Sequence, residues 1–261
     1  MIRLENFSCR FDEHIVLQDI SATLPAGNTA LIGPNGAGKS TLLQACADGG
    51  RHLRGAALQG RLLLDDENLL KLPADMLARR RAFLPQQHAD TLALTVADLL
   101  DLAGWPYGRS TLAGDPLQAQ AVATWELSAL LTRRYDALSG GERQRVQLAR
   151  TWLQMRLCES VEQRLWLLDE PQNALDLPHQ QRLRQVLEDE GRSGALIVFS
   201  THDLNFALRT ARHFLFLREG RLLAQGGTEL LQDDALLQTV FGVGFDRLTH
   251  PVDGRPWLLP H

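Results

Sequence analysis

Residues Thr29 to Thr41 read TALIGPNGAGKST, an apolar run that leads into a glycine-rich loop and then into a lysine and two hydroxyl residues. The loop satisfies the pattern G-x-x-x-x-G-K-[ST], and the helix-forming stretch LLQAC follows it, as this pattern requires. Its glycines let backbone N–H groups surround phosphate oxygens, Lys39 reaches the outer phosphates, and Ser40 offers a hydroxyl to Mg²⁺. A glycine-rich turn that binds nothing is the alternative, but the flanking segments argue against it. The stretch therefore predicts a strand, a phosphate-binding loop and a helix in an α/β fold.

Composition and charge restrict the class of protein. The chain has 261 residues, of which 44% are hydrophobic, enough for one large α/β domain or a core with a modest insertion. No apolar run has the length of a membrane-spanning helix, and the first residues, MIRLENFSCRF, lack the apolar stretch of a signal peptide, so we expect a cytosolic chain. The net charge of -4 gives no basic field that would indicate nucleic acid binding. Cys9, Cys46 and Cys158 have no metal-binding spacing and predict reduced thiols.

A pair of carboxylates follows a second apolar run. Leu165 to Leu168 form a continuous apolar stretch, typical of a strand buried on both faces of a parallel sheet, and Asp169 and Glu170 come directly after it. Ligands of doubly wound sheets bind at the carboxyl ends of the strands. Asp169 is suited to hold Mg²⁺, and Glu170 to orient and deprotonate an attacking water. Two surface acids that close a strand are the alternative, which the phosphate-binding loop disfavours.

Two further polar residues end apolar runs. Gln86 follows RAFLP, and His202 follows the run from Ala195 to Phe199. A single histidine at a strand end is often an ordinary polar group. Because we expect both residues at the same sheet edge as Lys39 and Asp169, we predict that Gln86 contacts Mg²⁺ or the water and that His202 contacts the outermost phosphate.

The stretch LSGGERQRVQLAR, Leu138 to Arg150, suggests a second anion-binding helix start. Ser139 and Glu142 match the S/T-x-x-E capping box, so a helix should begin there. Gly140 and Gly141 leave its first turn without side chains, which lets N–H groups and the positive end of the helix dipole approach an anion. An ordinary capped helix is the alternative reading of this stretch taken alone.

Six motifs, in one order along the chain, resemble those of the nucleotide-binding subunit of ABC transporters. They are the Walker A loop GPNGAGKST, a Q-loop at Gln86, the signature LSGGERQRV, the Walker B stretch LWLLDE, the D-loop NALD from Asn173 to Asp176, and an H-loop at His202. The resemblance covers essentially the whole chain. It implies an α/β fold: a P-loop NTPase (RecA-like) core with an N-terminal antiparallel β subdomain and an inserted α-helical subdomain. It also implies ATP hydrolysis, with ATP and Mg²⁺ as cofactors.

The family's functional residues carry over onto matching positions. The implied catalytic residues are Glu170, His202 and Gln86, and the implied Mg²⁺ ligands are Ser40, Gln86 and Asp169. The implied ATP contacts within the chain are Phe11, Gly33, Pro34, Asn35, Gly36, Ala37, Gly38, Lys39, Ser40 and Thr41. Phe11 stands where the family stacks an aromatic ring on adenine, although a core phenylalanine of the first strands is an equal alternative.

The resemblance also explains why one chain has two phosphate-reading segments. In this family the signature acts across a head-to-tail homodimer, so that a two-fold axis brings each Walker A loop to the partner's signature helix. The residues that would contact the partner's ATP in trans are Ser139, Gly140, Gly141 and Asp176. Two composite sites per dimer follow from this arrangement.

The implied organisation is one ABC ATPase domain over residues 1–261. Residues 1–87 and 138–261 are the predicted catalytic core with its β subdomain, and 88–137, where helical periodicity replaces strand signals, are the predicted helical subdomain. Within the core we predict a helix from Pro178 to a C-cap at Gly191 and a hairpin that turns at Glu219 and Gly220. The last segment, TVFGVGFDRLTHPVDGRPWLLPH, is more typical of strands than of a helix.

Finer features are similar to the ATPase of the vitamin B12 importer, within the group that also imports haem and iron siderophores. This similarity is carried by four stretches together: EPQNALD, whose Gln172 and Asn173 depart from the family's usual EPTSALD, STHDLNFALRTARHFLF, MRLCESVEQR before Walker B, and FGVGFDRL near the end. A separate departure from the family pattern is the segment between Gly27 and Gly33, which is one residue shorter than usual. The implied partners are a polytopic membrane permease dimer and, indirectly, a periplasmic substrate-binding protein, with no nucleic acid. The implied location is the cytoplasmic face of the bacterial inner membrane. Import of haem or a siderophore, a soluble non-transport ABC ATPase, and nucleotide binding without turnover are the alternatives.

Overall fold

The fold is described by a computed structural model that covers residues 1–86, 93–158, 160–161, 164–249 and 256–261. The strands are β1 (Ile2–Phe11), β2 (His14–Leu24), β3 (Gly27–Ile32), β4 (Ala56–Leu64), β5 (Glu67–Asn68), β6 (Arg81–Leu84), β7 (Leu165–Leu168), β8 (Leu196–Thr201), β9 (His213–Arg218), β10 (Arg221–Gly226), β11 (Phe245–Thr249) and β12 (Pro256–Pro260). The α-helices are α1 (Lys39–Asp48), α2 (Ala74–Arg80), α3 (Val96–Asp101), α4 (Pro116–Thr124), α5 (Gly140–Arg156), α6 (Leu177–Arg192), α7 (Leu204–Thr210) and α8 (Asp234–Phe241).

A six-stranded sheet forms the core and positions the site. Its strand order is β10-β9-β3-β8-β7-β6, and every pair from β9 to β6 is parallel. All residues of β7 and β8 are buried, because helices cover both faces of the sheet. The predicted strand Leu165–Leu168 is confirmed with the same bounds. The carboxyl ends of β3, β6, β7 and β8 therefore meet at one edge.

A second, antiparallel sheet lies beside this core. Its order is β2-β1-β4-β5, which confirms the N-terminal antiparallel β subdomain. The resemblance implied this subdomain, but no sequence motif had indicated β4 and β5. The sheet buries one face on α1 and on alternate apolar residues of the core sheet, including Leu31 and Leu215. The two sheets thus enclose the helix that starts at the phosphate-binding loop.

Short helices fill the segment between β6 and α5. Thr95 forms an isolated bridge with Arg134, and the N–H of Val96 donates to the Arg133 carbonyl at 3.0 Å, so the two ends of this segment lie together. Helices α3 and α4 pack on α5, which also packs on β6. Helix α5 therefore connects the helical segment to the core sheet. The predicted boundaries at 88 and 137 stay a prediction, since residues 87–92 lie outside the described residues.

Three sequence predictions about the C-terminal half have clear outcomes. The hairpin turn is confirmed, with Glu219 at φ 50° and Gly220 at φ 74°, the left-handed pair that a two-residue turn requires. The predicted C-cap at Gly191 is wrong, because α6 continues to Arg192 and its C-cap residue is Ser193. The first residues of the segment predicted to be strand-like close helix α8 instead, whereas β11 and β12 form an antiparallel hairpin.

Candidate active site

The phosphate-binding loop connects β3 to α1 and holds its own lysine in place. Helix α1 starts at Lys39 directly after Gly38, whose φ is 97°. The Lys39 side chain is buried, and its ammonium donates to the carbonyls of Gly33 at 2.8 Å and Pro34 at 3.0 Å. Burial lowers the pKa of Lys39, while the nearby charges of Glu170 and Asp169 oppose that shift. The loop therefore surrounds the ammonium group of its own lysine.

A cavity of about 610 Å³ opens above this loop. It brings together residues from the carboxyl ends of β3, β6, β7 and β8, as the parallel sheet requires. The lining residues are Val16, Gly33, Pro34, Asn35, Gly36, Ala37, Gly38, Lys39, Ser40, Thr41, Gln86, Glu170, His202 and Phe241. All the predicted phosphate-loop residues and all three predicted catalytic residues thus share one cavity.

Asp169 lies just beneath this cavity and is buried. Its Oδ1 accepts a hydrogen bond of 2.5 Å from the Ser200 hydroxyl. Burial raises the pKa of Asp169, and hydrogen bonds from Ser200 and Ser40 act in the opposite direction. The hydrogen bond between Ser40 and Asp169 places two of the predicted Mg²⁺ ligands side by side.

The donor set fits Mg²⁺. A hydroxyl, a carboxylate and a carboxamide are oxygen ligands, which Mg²⁺ prefers, and this ion is commonly bound by one or two carboxylates together with substrate phosphates. Among the described residues, no cluster of three or more His, Cys, Asp or Glu side chains could form a metal cage of its own. Ser40, Asp169 and Gln86 therefore suit an ion that arrives with a phosphate ligand.

The carboxylate of Glu170 is held by two amides. Its Oε2 accepts hydrogen bonds from Asn173 Nδ2 at 2.6 Å and from Gln86 Nε2 at 3.3 Å. Its Oε1 lies 3.5 Å from His202 Nδ1. Glu170 adopts φ 48°, a left-handed conformation that is uncommon for a glutamate and costs of order 1–3 kcal/mol. The described surroundings therefore constrain both its backbone and its side chain.

Phe11 is not brought to this cavity. It ends β1 and packs, partly buried, against the apolar cluster shared by the antiparallel sheet and α1. Val16 and Phe241 supply the larger apolar side chains that line the cavity. Stacking of Phe11 on adenine stays a prediction, and no sequence motif had indicated Val16 or Phe241.

Comparison with known proteins identifies the family. A family model for "ABC transporter" matches residues 17–173. The chain belongs to the ABC transporter family. The chain is its ATP-binding subunit and thus an ATPase, as the sequence predicted.

Two curated relatives and one solved structure illustrate the likeness. This ABC ATPase is 37% identical over 261 residues to the "Hemin import ATP-binding protein HmuV" of Pseudomonas aeruginosa, with 99% of each chain covered. It is 32% identical over 266 residues to the "Probable siderophore transport system ATP-binding protein YusV" of Bacillus subtilis, covering 100% of this chain and 92% of that protein. The solved "Structure of ATP binding subunit of ABC transporter" superimposes with a TM-score of 0.77 at 24% identity, covering 93% of this chain and 98% of that one, which confirms the fold.

The signature residues of this ABC ATPase lie away from its own phosphate loop. The capping box is confirmed: Ser139 Oγ accepts from the Glu142 N–H at 3.3 Å, and Glu142 Oε2 accepts from the Ser139 N–H at 2.8 Å. Asp176 caps α6, where its side chain accepts from the His179 N–H. None of the four residues predicted to act in trans is among the described residues that line the cavity.

Two buried hydroxyls of β8 were missed by the sequence analysis of this ABC ATPase. Ser200 and Thr201 are fully buried at the end of an otherwise apolar strand. The Ser200 hydroxyl also accepts from the Glu170 N–H at 2.9 Å, and Thr201 accepts from Gln172 Nε2 at 2.6 Å. Polar residues within a buried apolar run were the available signal, because a buried hydroxyl needs a hydrogen-bond partner.

Among the described residues, no helix of this ATPase is both long enough and apolar enough to cross a membrane.

Proposed function

We propose that this chain powers the import of haem or a ferric siderophore through a membrane permease. The observation that carries the proposal is the end-to-end likeness to ATPases named for hemin import, together with one named for siderophore transport. These names favour the haem or siderophore alternative over vitamin B12, which the sequence analysis had placed first. The EPQNALD departures, one of the features behind the B12 preference, do not distinguish the cargoes, because the cargo does not contact this subunit in the proposed arrangement.

The geometry of the cavity supports ATP hydrolysis within this role. Backbone N–H groups of the loop from Gly33 to Thr41 and the Lys39 ammonium bind the phosphates. Ser40, Asp169 and Gln86 would hold Mg²⁺, which neutralises charge on the phosphate oxygens when it is bound. Glu170 orients the attacking water and accepts its proton, and His202 stands beside Glu170 to donate a hydrogen bond to the outermost phosphate.

In the proposed importer this ATPase acts as a homodimer. The signature residues Ser139, Gly140 and Gly141, with Asp176, would contact ATP held by the partner's loop, so that ATP joins the two halves and hydrolysis releases them. The helical segment between β6 and α5 would contact a permease dimer. A periplasmic binding protein would deliver the cargo to the outer side of that permease. The proposed location is peripheral, on the cytoplasmic face of the inner membrane.

Growth tests of a deletion strain decide between the cargoes. A strain that lacks the gene should lose growth when haem, or one ferric siderophore, is the only iron source, and the intact gene should restore it. The Lys39→Ala variant should not restore growth, because it lacks the phosphate-binding ammonium. Loss of cobalamin-dependent growth instead would return the assignment to vitamin B12. Unchanged growth on all three would contradict the importer role and favour a soluble non-transport ATPase.

A further inference from the structure

Asn173 contacts the carboxylate that the proposed mechanism uses as its base. Its Nδ2 lies 2.6 Å from Glu170 Oε2, which is shorter than the 3.3 Å contact from Gln86 to the same oxygen. A carboxylate oxygen accepts about two hydrogen bonds, so these two amides occupy Oε2. Oε1 lies 3.5 Å from His202 Nδ1, and among the described residues no side chain donates a hydrogen bond to it. The asymmetry leaves Oε1 as the oxygen that is available to the cavity.

The backbone around Asn173 fixes the direction of its side chain. The Asn173 N–H donates to the Glu170 carbonyl at 3.1 Å, so the two residues close a turn. The buried amide of Gln144, on α5, donates to the Pro171 carbonyl in the same turn at 2.9 Å. A Cβ on Gly141 would lie 2.9 Å from the Ala174 carbonyl oxygen, so α5 approaches the turn closely. The turn is therefore seated against the start of the signature helix.

We infer that Asn173 is a positioning residue for Glu170: it holds Oε2 so that Oε1 receives the proton of the attacking water. In that step the water O–H bond breaks and its proton moves to Oε1. The water oxygen bonds to the γ-phosphorus, and the bond from that phosphorus to ADP breaks with its electron pair left on ADP. The inference rests on the proposed role of Glu170 and adds a residue to it. Serine, the usual residue of the family at this position, carries its hydroxyl on Cβ and does not extend as far as the carboxamide.

Three substitutions at position 173 separate positioning from packing. Asn173→Ala removes the donor, and Asn173→Ser leaves a hydroxyl donor on a shorter side chain that does not extend as far. We expect each to lower kcat by about 10- to 100-fold, the range of a hydrogen bond to a charged group, with KM for ATP within twofold of wild type. Asn173→Asp preserves shape but places a second carboxylate beside Oε2, so it should lower kcat further than alanine does. If the side chain only filled space, the isosteric aspartate would be the mildest of the three changes.

Two controls accompany these variants: the alanine and aspartate substitutions at another asparagine, and the position-173 substitutions in a Glu170→Gln background. Asn68 is a matched asparagine on the edge strand β5, where its Oδ1 accepts from the Leu70 N–H at 3.0 Å. Asn68→Ala and Asn68→Asp should keep kcat within twofold of wild type. In a Glu170→Gln background, the substitutions at position 173 should lower kcat no further, because the carboxylate that they orient is gone.

The inference is overturned if Asn173→Asp is at least as active as Asn173→Ala, if all three variants keep wild-type kcat, or if their effects persist in the Glu170→Gln background. Wild-type turnover of Glu170→Gln itself would instead contradict the proposed base. A failure of the inference about Asn173 is therefore distinguishable from a failure of the proposed role of Glu170.

Discussion

The Ser200 hydroxyl donates a 2.5 Å hydrogen bond to Oδ1 of Asp169, and so joins the ends of two neighbouring strands. Leu168 and Phe199 are register partners in β7 and β8, which places the following residues, Asp169 and Ser200, side by side. Because Ser200 also accepts from the Glu170 N–H at 2.9 Å, one hydroxyl fixes both acidic residues. Strand register therefore determines where the carboxylates of the site stand.

Replacing Glu170 by glutamine should slow turnover strongly and preserve ATP binding. The amide cannot accept the water's proton, and general-base assistance contributes about 10² to 10⁴ in rate. Phosphate release should fall by that factor, while ATP dissociation constants stay close to wild type. Glu188→Gln, a change of the same kind on α6 where Glu188 pairs with Arg184 and Arg192, should turn over normally. Turnover near wild type in Glu170→Gln would remove Glu170 from the mechanism.

A mixture of two defective chains should recover one intact nucleotide site. If signature and loop meet in trans, a heterodimer of Lys39→Ala and Ser139→Arg chains has both defects in one site and none in the other. ATP should therefore close this heterodimer around a single nucleotide, as measured by ATP content and dimer mass. Pairing Lys39→Ala with a chain that carries both substitutions should give no closure. Equal failure of both mixtures would indicate that the signature acts within its own chain.

Asp169→Asn should stabilise the chain that carries no nucleotide at neutral pH. Burial raises the pKa of Asp169, so its stabilising contribution is present below the unfolded pKa, about 3.9, and is lost as pH rises through the folded value. Asparagine keeps an acceptor for Ser200 without the charge. The thermal midpoint of Asp169→Asn should exceed that of wild type at pH 7, and the difference should vanish near pH 4.

Asp176 provides a control of opposite sign for that measurement. Hydrogen bonds from the His179 backbone and side chain lower the pKa of Asp176, so its contribution is present above the unfolded pKa and is lost as pH falls through the folded one. Asp176→Asn should therefore lower the thermal midpoint at pH 7. Shifts of the same sign in the two variants would contradict the electrostatic account.

Gly191→Ala should destabilise the chain, although alanine is the better helix former by about 0.5–1 kcal/mol. A Cβ at this position would lie 2.3 Å from Asn28 Oδ1. The buried Asn28 amide cannot move freely, because its Nδ2 donates to the carbonyls of Leu187 and Thr210, each at 2.9 Å. Thermal unfolding should show a lower midpoint for Gly191→Ala. In a double-mutant cycle with Asn28→Ala, the combined loss should be smaller than the sum of the two single losses.

Trp105→Ala should uncouple transport from hydrolysis. Trp105 lies in the helical segment and is 67% exposed, which is unusual for a residue of its size and suits a contact with the permease. The purified subunit should hydrolyse ATP at the wild-type rate, whereas uptake by the assembled transporter should fall. Leu248→Ala, at an apolar residue that is 52% exposed on β11, should leave uptake unchanged. Equal uptake in both variants would exclude Trp105 from the permease surface.

Local signals made much of the core predictable. The run Leu165–Leu168 is apolar at every position because both faces of β7 are covered, and such a run specifies its own bounds. Ser139 and Glu142 are three residues apart, so the capping box that starts α5 needs no information from elsewhere in the chain. Residues that follow parallel strands share one edge by construction, which is why Gln86, Glu170 and His202 could be placed together.

Features that depend on contacts between distant segments could not be predicted in this way. Nothing near Gly191 in the sequence indicates Asn28, whose amide occupies the space of a side chain there, so the glycine resembled a helix end. The pairing of β4 with β1 joins residues that lie between 45 positions apart, for Phe11 and Ala56, and 62 positions apart, for Ile2 and Leu64. Asn173 had attracted notice as a departure from a family pattern, but its bond to Glu170 depends on the left-handed backbone at Glu170, which the sequence does not reveal.

The Lys39 ammonium donates to the Gly33 and Pro34 carbonyls, two acceptors of its own loop. The free-energy cost of ordering the loop and of removing that charge from water therefore arises on folding. Neither cost opposes ligand association. Such preorganisation strengthens ligand association and lowers the free energy of unfolding of the protein without ligand. A phosphate that reaches the ammonium recovers this free energy, and the nucleotide-free chain is therefore the form with the least resistance to unfolding.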